Sequence, residues 1–290
     1  MQNDSQDAVF ISGGTSGLGL AIAQHFVKAG KSVVICSRSE KSVEVTVKKL
    51  KVLSTENQLI FGFGNDVSNR ISTAEMIDKL ELLNLNINVL ICNAGVIGPI
   101  SKFLENNFEE WQESFNVNLY GTMNLISGIL PSMVLRKRGR IIHVSGGGAT
   151  SPLFGMSSYA ASKAAAVRLI ETLALEYQDS GVTLNSIAPG MLKTRLLDQM
   201  LDAGPEGVGR NLFAKSKSKA EALTDTTSMA LDLVDFLASE ASVGITGKLI
   251  SAEWDNWAEW SSHLTELRDS DVYTLRRITG RDRGTAWGDN

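Results

Sequence analysis

The sequence predicts an α/β fold, a doubly wound parallel sheet of about seven strands with helices on both faces. Three observations carry this. Short apolar runs alternate with longer amphipathic ones, the pattern of βα units. The strand runs AVFIS, SVVIC and NVLIC are apolar without alternation, as strands covered on both faces are. A glycine-rich turn joins the first strand to the first helix, the place where such folds receive a dinucleotide.

The elements follow in order. AVFIS (8–12) is the first strand, and LGLAIAQHFVKAG is a helix ending at Gly30, a residue suited to the C-cap. SVVICS (32–37) is the second strand, followed by a helix near 40–53. QLIFGF (58–63) is the third, followed by a helix near 70–84, and INVLICN (87–93) is the fourth. The segment 108–138 reads as one long helix despite Pro131. RIIHVS (140–145) is the fifth strand, with a helix over 157–179. VTLNSIA (182–188) is the sixth and ends at Pro189-Gly190. Residues 191–225 are polar and Lys-rich, and read as an irregular flap over a site. A helix near 226–239 and a last strand, KLISA (248–252), complete the sheet.

Residues 1–253 thus form one nucleotide-binding domain that includes the flap. Residues 254–290 differ in texture, with Trp254, Trp257, Trp260 and Trp287 and the basic run LRRITGRDRG. The tryptophans are expected to dock this extension on the same domain or on a partner subunit. The alternative is that they line a substrate pocket.

Composition narrows the function. Hydrophobic residues make up 43% and charged residues 21%, with a net charge of -4, which gives no footprint for nucleic acid. No apolar run approaches a membrane span. His25, His143 and His263 are too scattered for a metal site. Cys36 and Cys92 sit in apolar runs and read as buried free thiols, which fits a reducing compartment. With the polar start MQNDSQD, which lacks the pattern of a leader, the expectation is a cytoplasmic protein.

The motifs that carry chemistry begin at Ser12. The stretch Ser12-Gly13-Gly14-Thr15-Ser16-Gly17-Leu18-Gly19 lets the backbone turn sharply and brings N–H groups and a helix N-terminus to a pyrophosphate. The second strand ends in Ser37-Arg38. An acidic residue there would hold a free ribose 2'-hydroxyl, whereas a hydroxyl with a guanidinium suits a 2'-phosphate. NADP(H) is therefore expected over NAD(H). Asp66-Val67 follows the third strand, where a carboxylate can accept from an adenine amino group. Asn93-Ala94-Gly95 follows the fourth, where small residues let a cofactor approach the backbone. Tyr159 and Lys163 lie four apart on a helix and share one face, where an ammonium can lower the pKa of a phenol.

With these residues in hand the chain resembles the short-chain dehydrogenase/reductase family in its single-domain branch. The resemblance rests on SGGTSGLG, DV, NAG, NVN, YAASK and PGMLKT in order and spacing, over roughly residues 8–252. It implies a Rossmann-type fold and a hydride transfer between a nicotinamide cofactor and a small carbonyl or alcohol substrate. By the resemblance, Tyr159 moves the proton, Lys163 tunes it and grips ribose, and Asn118 holds a relay water. Pro189, Gly190, Leu192 and Thr194 belong to the nicotinamide side, Thr194 binding the carboxamide. The resemblance also implies a homodimer or homotetramer joined through the helices near 108–138 and 157–179.

One position departs from the pattern. The family's substrate-binding serine maps to Gly146, thirteen residues before Tyr159. Losing one such donor costs about 10²–10³ in rate. Four arrangements are compatible with it. Ser145 can substitute if the run Gly146-Gly147-Gly148 re-aims it. Thr150, Ser151, Ser157 or Ser158 can reach in. The substrate can bring its own hydroxyl, as a sugar-like molecule would. Or the chain binds NADP as a sensor or scaffold without turnover. Intact Tyr159, Lys163 and Asn118 favour an active enzyme.

Overall fold

The computed structural model describes residues 6–83, 85–222 and 226–285. Seven parallel strands form one sheet: β1 (Gln6–Ser12), β2 (Ser32–Ser37), β3 (Ile60–Gly64), β4 (Leu85–Cys92), β5 (Gly139–Val144), β6 (Val182–Ala188) and β7 (Leu249–Ser251). Their order is β3-β2-β1-β4-β5-β6-β7. The order reverses between β1 and β4, which opens a crevice at their C-terminal ends.

The apolar strands divide their side chains between two layers, because successive residues point to opposite faces. Val9 and Ile11 of β1 enter one core with Val33, Ile35, Val89 and Ile91. That core is closed by α1 (Gly17–Lys28), α2 (Glu40–Leu53) and α10 (Thr227–Ala238). Ala8 and Phe10 enter the other, with Val34, Leu90 and Ile141, under α3 (Arg70–Leu82), α5 (Gly121–Leu135) and α6 (Ser157–Glu176). Side-chain caps fix helix starts: Asn69 Oδ1 accepts from Ile71 and Ser72 N–H, and Ser39 Oγ from Ser42 N–H.

The segment over 108–138 is helical without a break through Leu135, as α4 (Phe108–Phe115), a π-helical turn (Asn116–Tyr120) and α5, which contains Pro131. The wider π turn falls on the NVN segment, and such turns often mark functional sites. One expectation is corrected: the segment over 191–225 is not irregular. It forms α7 (Arg195–Asp202), α8 (Gly204–Val208) and α9 (Arg210–Glu221), and residues 223–225 lie outside the described residues. A narrow apolar stripe explains the miss. Leu196, Met200, Leu212 and Phe213 pack with Ile97, Met156 and Val208 as a small separate core beside Tyr159, while Lys193 and Lys215 line the cleft and Lys217 is exposed.

The extension packs on the body. Trp260 and Leu267, the latter in α11 (Leu264–Arg268), join the first core, and Trp257 lies 5.3 Å from the ring of Phe236. Tyr273 carbonyl accepts from Leu249 N–H at 2.8 Å, and Lys248 Nζ donates to the carbonyls of Ser270 and Val272. The chain thus satisfies edge groups of its own β7. Trp287 lies outside the described residues. Cys36 and Cys92 are free and buried. Among the described residues no helix is long and apolar enough to cross a membrane, and no His, Cys, Asp and Glu side chains cluster as a metal site.

Candidate active site

The crevice over the strand ends is a cleft of about 1710 Å³ that runs from Arg38 after β2 to Tyr273 beyond β7. The glycine turn forms one end. Gly13 takes a left-handed φ of +66°, and its N–H donates to Cys36 carbonyl at 2.9 Å. Gly19 allows a closer approach still: a Cβ there would lie 2.3 Å from Gly13 carbonyl oxygen. Ser12 Oγ accepts from the N–H groups of Asn93 and Ala94 at 3.0 and 3.1 Å, tying the exit of β4 to the turn.

At the end of β2, Thr15 Oγ1 donates to Ser37 Oγ at 3.1 Å. Arg38 is exposed on the cleft wall and makes no ion pair among the described residues. A backbone cradle at the head of the cleft fits the pyrophosphate of a dinucleotide. Asp66 Oδ1 is held by Ser68 N–H and Oγ. Val67, Ala94, Gly95, Pro189, Gly190, Leu192 and Thr194 also line the cleft. Ser12, Gly19, Asn118 and Lys163 stand behind its wall.

At the other end lies Tyr159, nearly buried on α6 and lining the cleft. Burial pushes its phenol up to about 12. Lys163 Nζ lies 6.0 Å from the ring centre and gives a hydrogen bond to Val144 carbonyl at 2.7 Å. Burial brings the Lys163 amine down to about 8, with a smaller opposing influence from Cys92. At neutral pH the chain therefore presents a protonated phenol beside a charged amine.

Asn118 is fully buried and its amide is committed. Oδ1 accepts from Val96 N–H at 2.8 Å, and Nδ2 donates to Val96 carbonyl and Ser162 Oγ at 2.9 Å each. It clamps the segment after β4 to α6 at the π turn. Its backbone carbonyl accepts from Thr122 Oγ1 at 3.0 Å.

Gly146 faces Tyr159. A Cβ there would lie 2.7 Å from Tyr159 Oη, so the phenol occupies the space that a side chain at 146 would take. Backbone at Gly146 is fully extended (φ 176°, ψ 171°). Ser145 beside it lines the cleft, and its buried Oγ has no hydrogen-bond partner among the described residues. Ser157 Oγ accepts from Trp111 Nε1, and Ser158 pairs with Ser114, so both are engaged. Thr150 and Ser151 line the cleft. Sequence reasoning missed Glu253 and Tyr273 on the cleft wall, and left Trp254 undecided between docking and pocket. No local signal sets these residues apart from a solvated tail.

A dinucleotide crevice with a tyrosine–lysine pair at one end defines a class of oxidoreductase. Residues 7–204 match the model of short chain dehydrogenase, and the chain belongs to this family, whose members are NAD(P)-dependent oxidoreductases of small molecules. It is 28% identical over 247 residues to the uncharacterized oxidoreductase YvrD of Bacillus subtilis, covering 82% of this chain and 92% of that one. It is 29% identical over 245 residues to the 3-oxoacyl-[acyl-carrier-protein] reductase FabG of Buchnera aphidicola, covering 84% and 95%. The fold is similar to that of actinorhodin polyketide ketoreductase solved with NADPH. The TM-score is 0.76 at 24% identity, covering 86% of this chain and 96% of that one.

Proposed function

We propose that the chain is an NADP(H)-dependent oxidoreductase that interconverts a secondary alcohol and a ketone. The observation that carries this reading is the protonated, nearly buried Tyr159 in the same cleft as the glycine turn and Arg38. The nicotinamide, when bound, supplies or accepts the hydride. Arg38, Ser37 and Thr15 hold the adenosine phosphate end. Pro189, Gly190, Leu192 and Thr194 bound the nicotinamide end. Tyr159 Oη gives its proton to the carbonyl oxygen in reduction and takes it back in oxidation. Lys163 keeps a positive charge behind the phenol and so favours its ionised form after transfer. Asn118 acts as a positioning residue for the strand-end segment on which the cleft floor rests.

The exposed guanidinium of Arg38 beside Ser37 supports NADP. Assembly is read as a homodimer or homotetramer, and the compartment as the cytoplasm, where buried free thiols persist. A second reading, a non-catalytic NADP-binding sensor or scaffold, is favoured by Gly146, where the family's hydroxyl is missing.

Tyr159→Phe separates the two. It should lower NADPH-dependent ketone reduction by about 10²–10⁴ while NADPH binding, read by fluorescence titration, stays intact. Unchanged turnover in the variant would remove Tyr159 from the chemistry. An absence of turnover in both proteins with tight NADPH binding would favour the sensor.

A further inference from the structure

The cleft does not end at the nicotinamide side. It continues past Pro189-Gly190 to the turn after β7, where Glu253, Trp254 and Asp255 line it, and to Tyr273 of the extension. Hydride transfer uses none of these residues.

The three described tryptophans of this region are treated differently. Trp257 packs on Phe236, and Trp260 is buried with its ring 4.2 Å from that of Tyr273. Trp254 is 81% exposed. Its exposure is fixed by a built turn: Trp254 N–H donates to Ser251 Oγ at 3.2 Å, and Ser251 N–H to Asp255 Oδ2 at 2.7 Å. The turn sets Trp254 in the cleft lining, where its large flat side chain is mostly exposed among the described residues.

Beside it hangs an acceptor. Glu253 Oε2 lies 3.1 Å from the point a Cβ on Gly190 would occupy, so the carboxylate leans over the Pro189-Gly190 turn. Glu253 is exposed and makes no ion pair among the described residues. Toward the reacting centre there is room: a Cβ on Gly147 would meet no atom within 4 Å.

We propose that Trp254 and Glu253, with Tyr273 at the outer edge, form a recognition subsite for a neutral, polyhydroxylated ring in the substrate. The ring stacks its C–H face on Trp254, and its hydroxyls donate to Glu253. This rests on the alcohol–ketone reading above. The chemistry selects the class. An anionic group would be repelled by Glu253. Lys193, Arg195 and Lys215 line the same cleft alongside Asp198 and Asp255, so neither sign of charge dominates it. A wholly apolar ring would strip water from the carboxylate and return no hydrogen bond. A polyol satisfies both the face and the acceptor. A hydroxyl next to its carbonyl also supplies the polar group that position 146 lacks.

The test uses two cyclic ketones of one ring size, an inosose (the ketone of inositol) and cyclohexanone, with wild type, Trp254→Ala, Trp254→Phe and Glu253→Gln. The inosose should be reduced with a kcat/KM at least about tenfold above that of cyclohexanone. Trp254→Ala should raise KM for the inosose about tenfold, with kcat within twofold and NADPH affinity unchanged, and Trp254→Phe should restore most of it. Equal effects of Trp254→Ala on both ketones, or a preference for cyclohexanone, would overturn the subsite and leave the oxidoreductase reading standing. Titration of inositol onto the NADPH-loaded protein, followed by tryptophan fluorescence, reads the subsite without turnover. A saturable change lost in Trp254→Phe upholds it even if neither ketone reacts, an outcome that would count against the catalytic reading alone. No such change in wild type overturns it.

Discussion

Glycines cluster at two strand ends in this chain, after β1 and after β5, and the two clusters do opposite things. In the first, the missing Cβ is a near collision at Gly13, Gly14 and Gly19, while one on Gly17 would make ordinary contact with Thr194 at 3.4 Å. At Gly19 it would sit 2.3 Å from Gly13 carbonyl oxygen, and at Gly14 2.6 Å from Ile35. Glycine there is a condition of the fold, because backbone passes over backbone. In the second, Gly148 is also packed tightly, a Cβ there lying 3.2 Å from Ala160 Cα, but among the described residues Gly147 has open space and the neighbour that crowds Gly146 is the Tyr159 Oη that lines the cleft. Glycine there shapes the site. The same residue type thus marks a tight backbone crossing at one end of the cleft and open room at the other.

The comparison breaks most readily at its architectural end. Gly19→Ala forces a Cβ against a carbonyl that has nowhere to move, so about 1–3 kcal/mol of stability should be lost along with NADPH binding. Gly147→Ala should stay within about 0.5 kcal/mol of wild type. Thermal unfolding beside an NADPH titration reads both, and similar behaviour of the two variants would erase the distinction. Next in size, Arg38→Ala should weaken NADPH about 10- to 100-fold and leave NADH nearly unchanged, since a charge-assisted pair to phosphate is removed. An equal loss for both cofactors would take the phosphate away from Arg38.

A smaller effect follows from the amine behind the phenol. Lys163 titrates near 8, below its ordinary value, so it is charged below that pH and neutral above it. The phenol, near 12, stays protonated throughout. Ketone reduction should be level below pH 8 and decline as pH rises through it. In Lys163→Arg, always charged, the decline should move to higher pH, whatever its absolute rate. A pH–rate profile without that limb would contradict the assignment.

How far the sequence reveals this site depends on how local each signal is. The glycine turn, the Tyr159–Lys163 spacing and the apolar strands depend on neighbours in the chain, and all appear in the fold at their expected places. Gly146 is found by counting back from Tyr159. What it touches is not, because the position of Tyr159 Oη depends on how α6 packs on β5. The helices over 191–225 are hidden in the sequence because their apolar stripe is narrow and lysines are interspersed with it. Trp254 and Trp260 look alike in the sequence, yet one is exposed on the cleft and the other is core. That difference is set by the turn Ser251–Asp255 and the path of the extension along β7. Asn118 is named by its motif, but its saturated amide is visible only in three dimensions.

The central claim is that the chain is an active oxidoreductase whose cleft is built around a glycine at 146. The most direct test is NADPH oxidation over a broad carbonyl panel, wild type beside Gly146→Ser. The account predicts that wild type turns over at least one hydroxylated ketone. It also predicts that the serine variant loses about tenfold or more, because its Cβ falls 2.7 Å from Tyr159 Oη and displaces the phenol. A serine variant that matches or exceeds wild type across the panel would contradict it, and would mark Gly146 as a missing donor rather than part of the design.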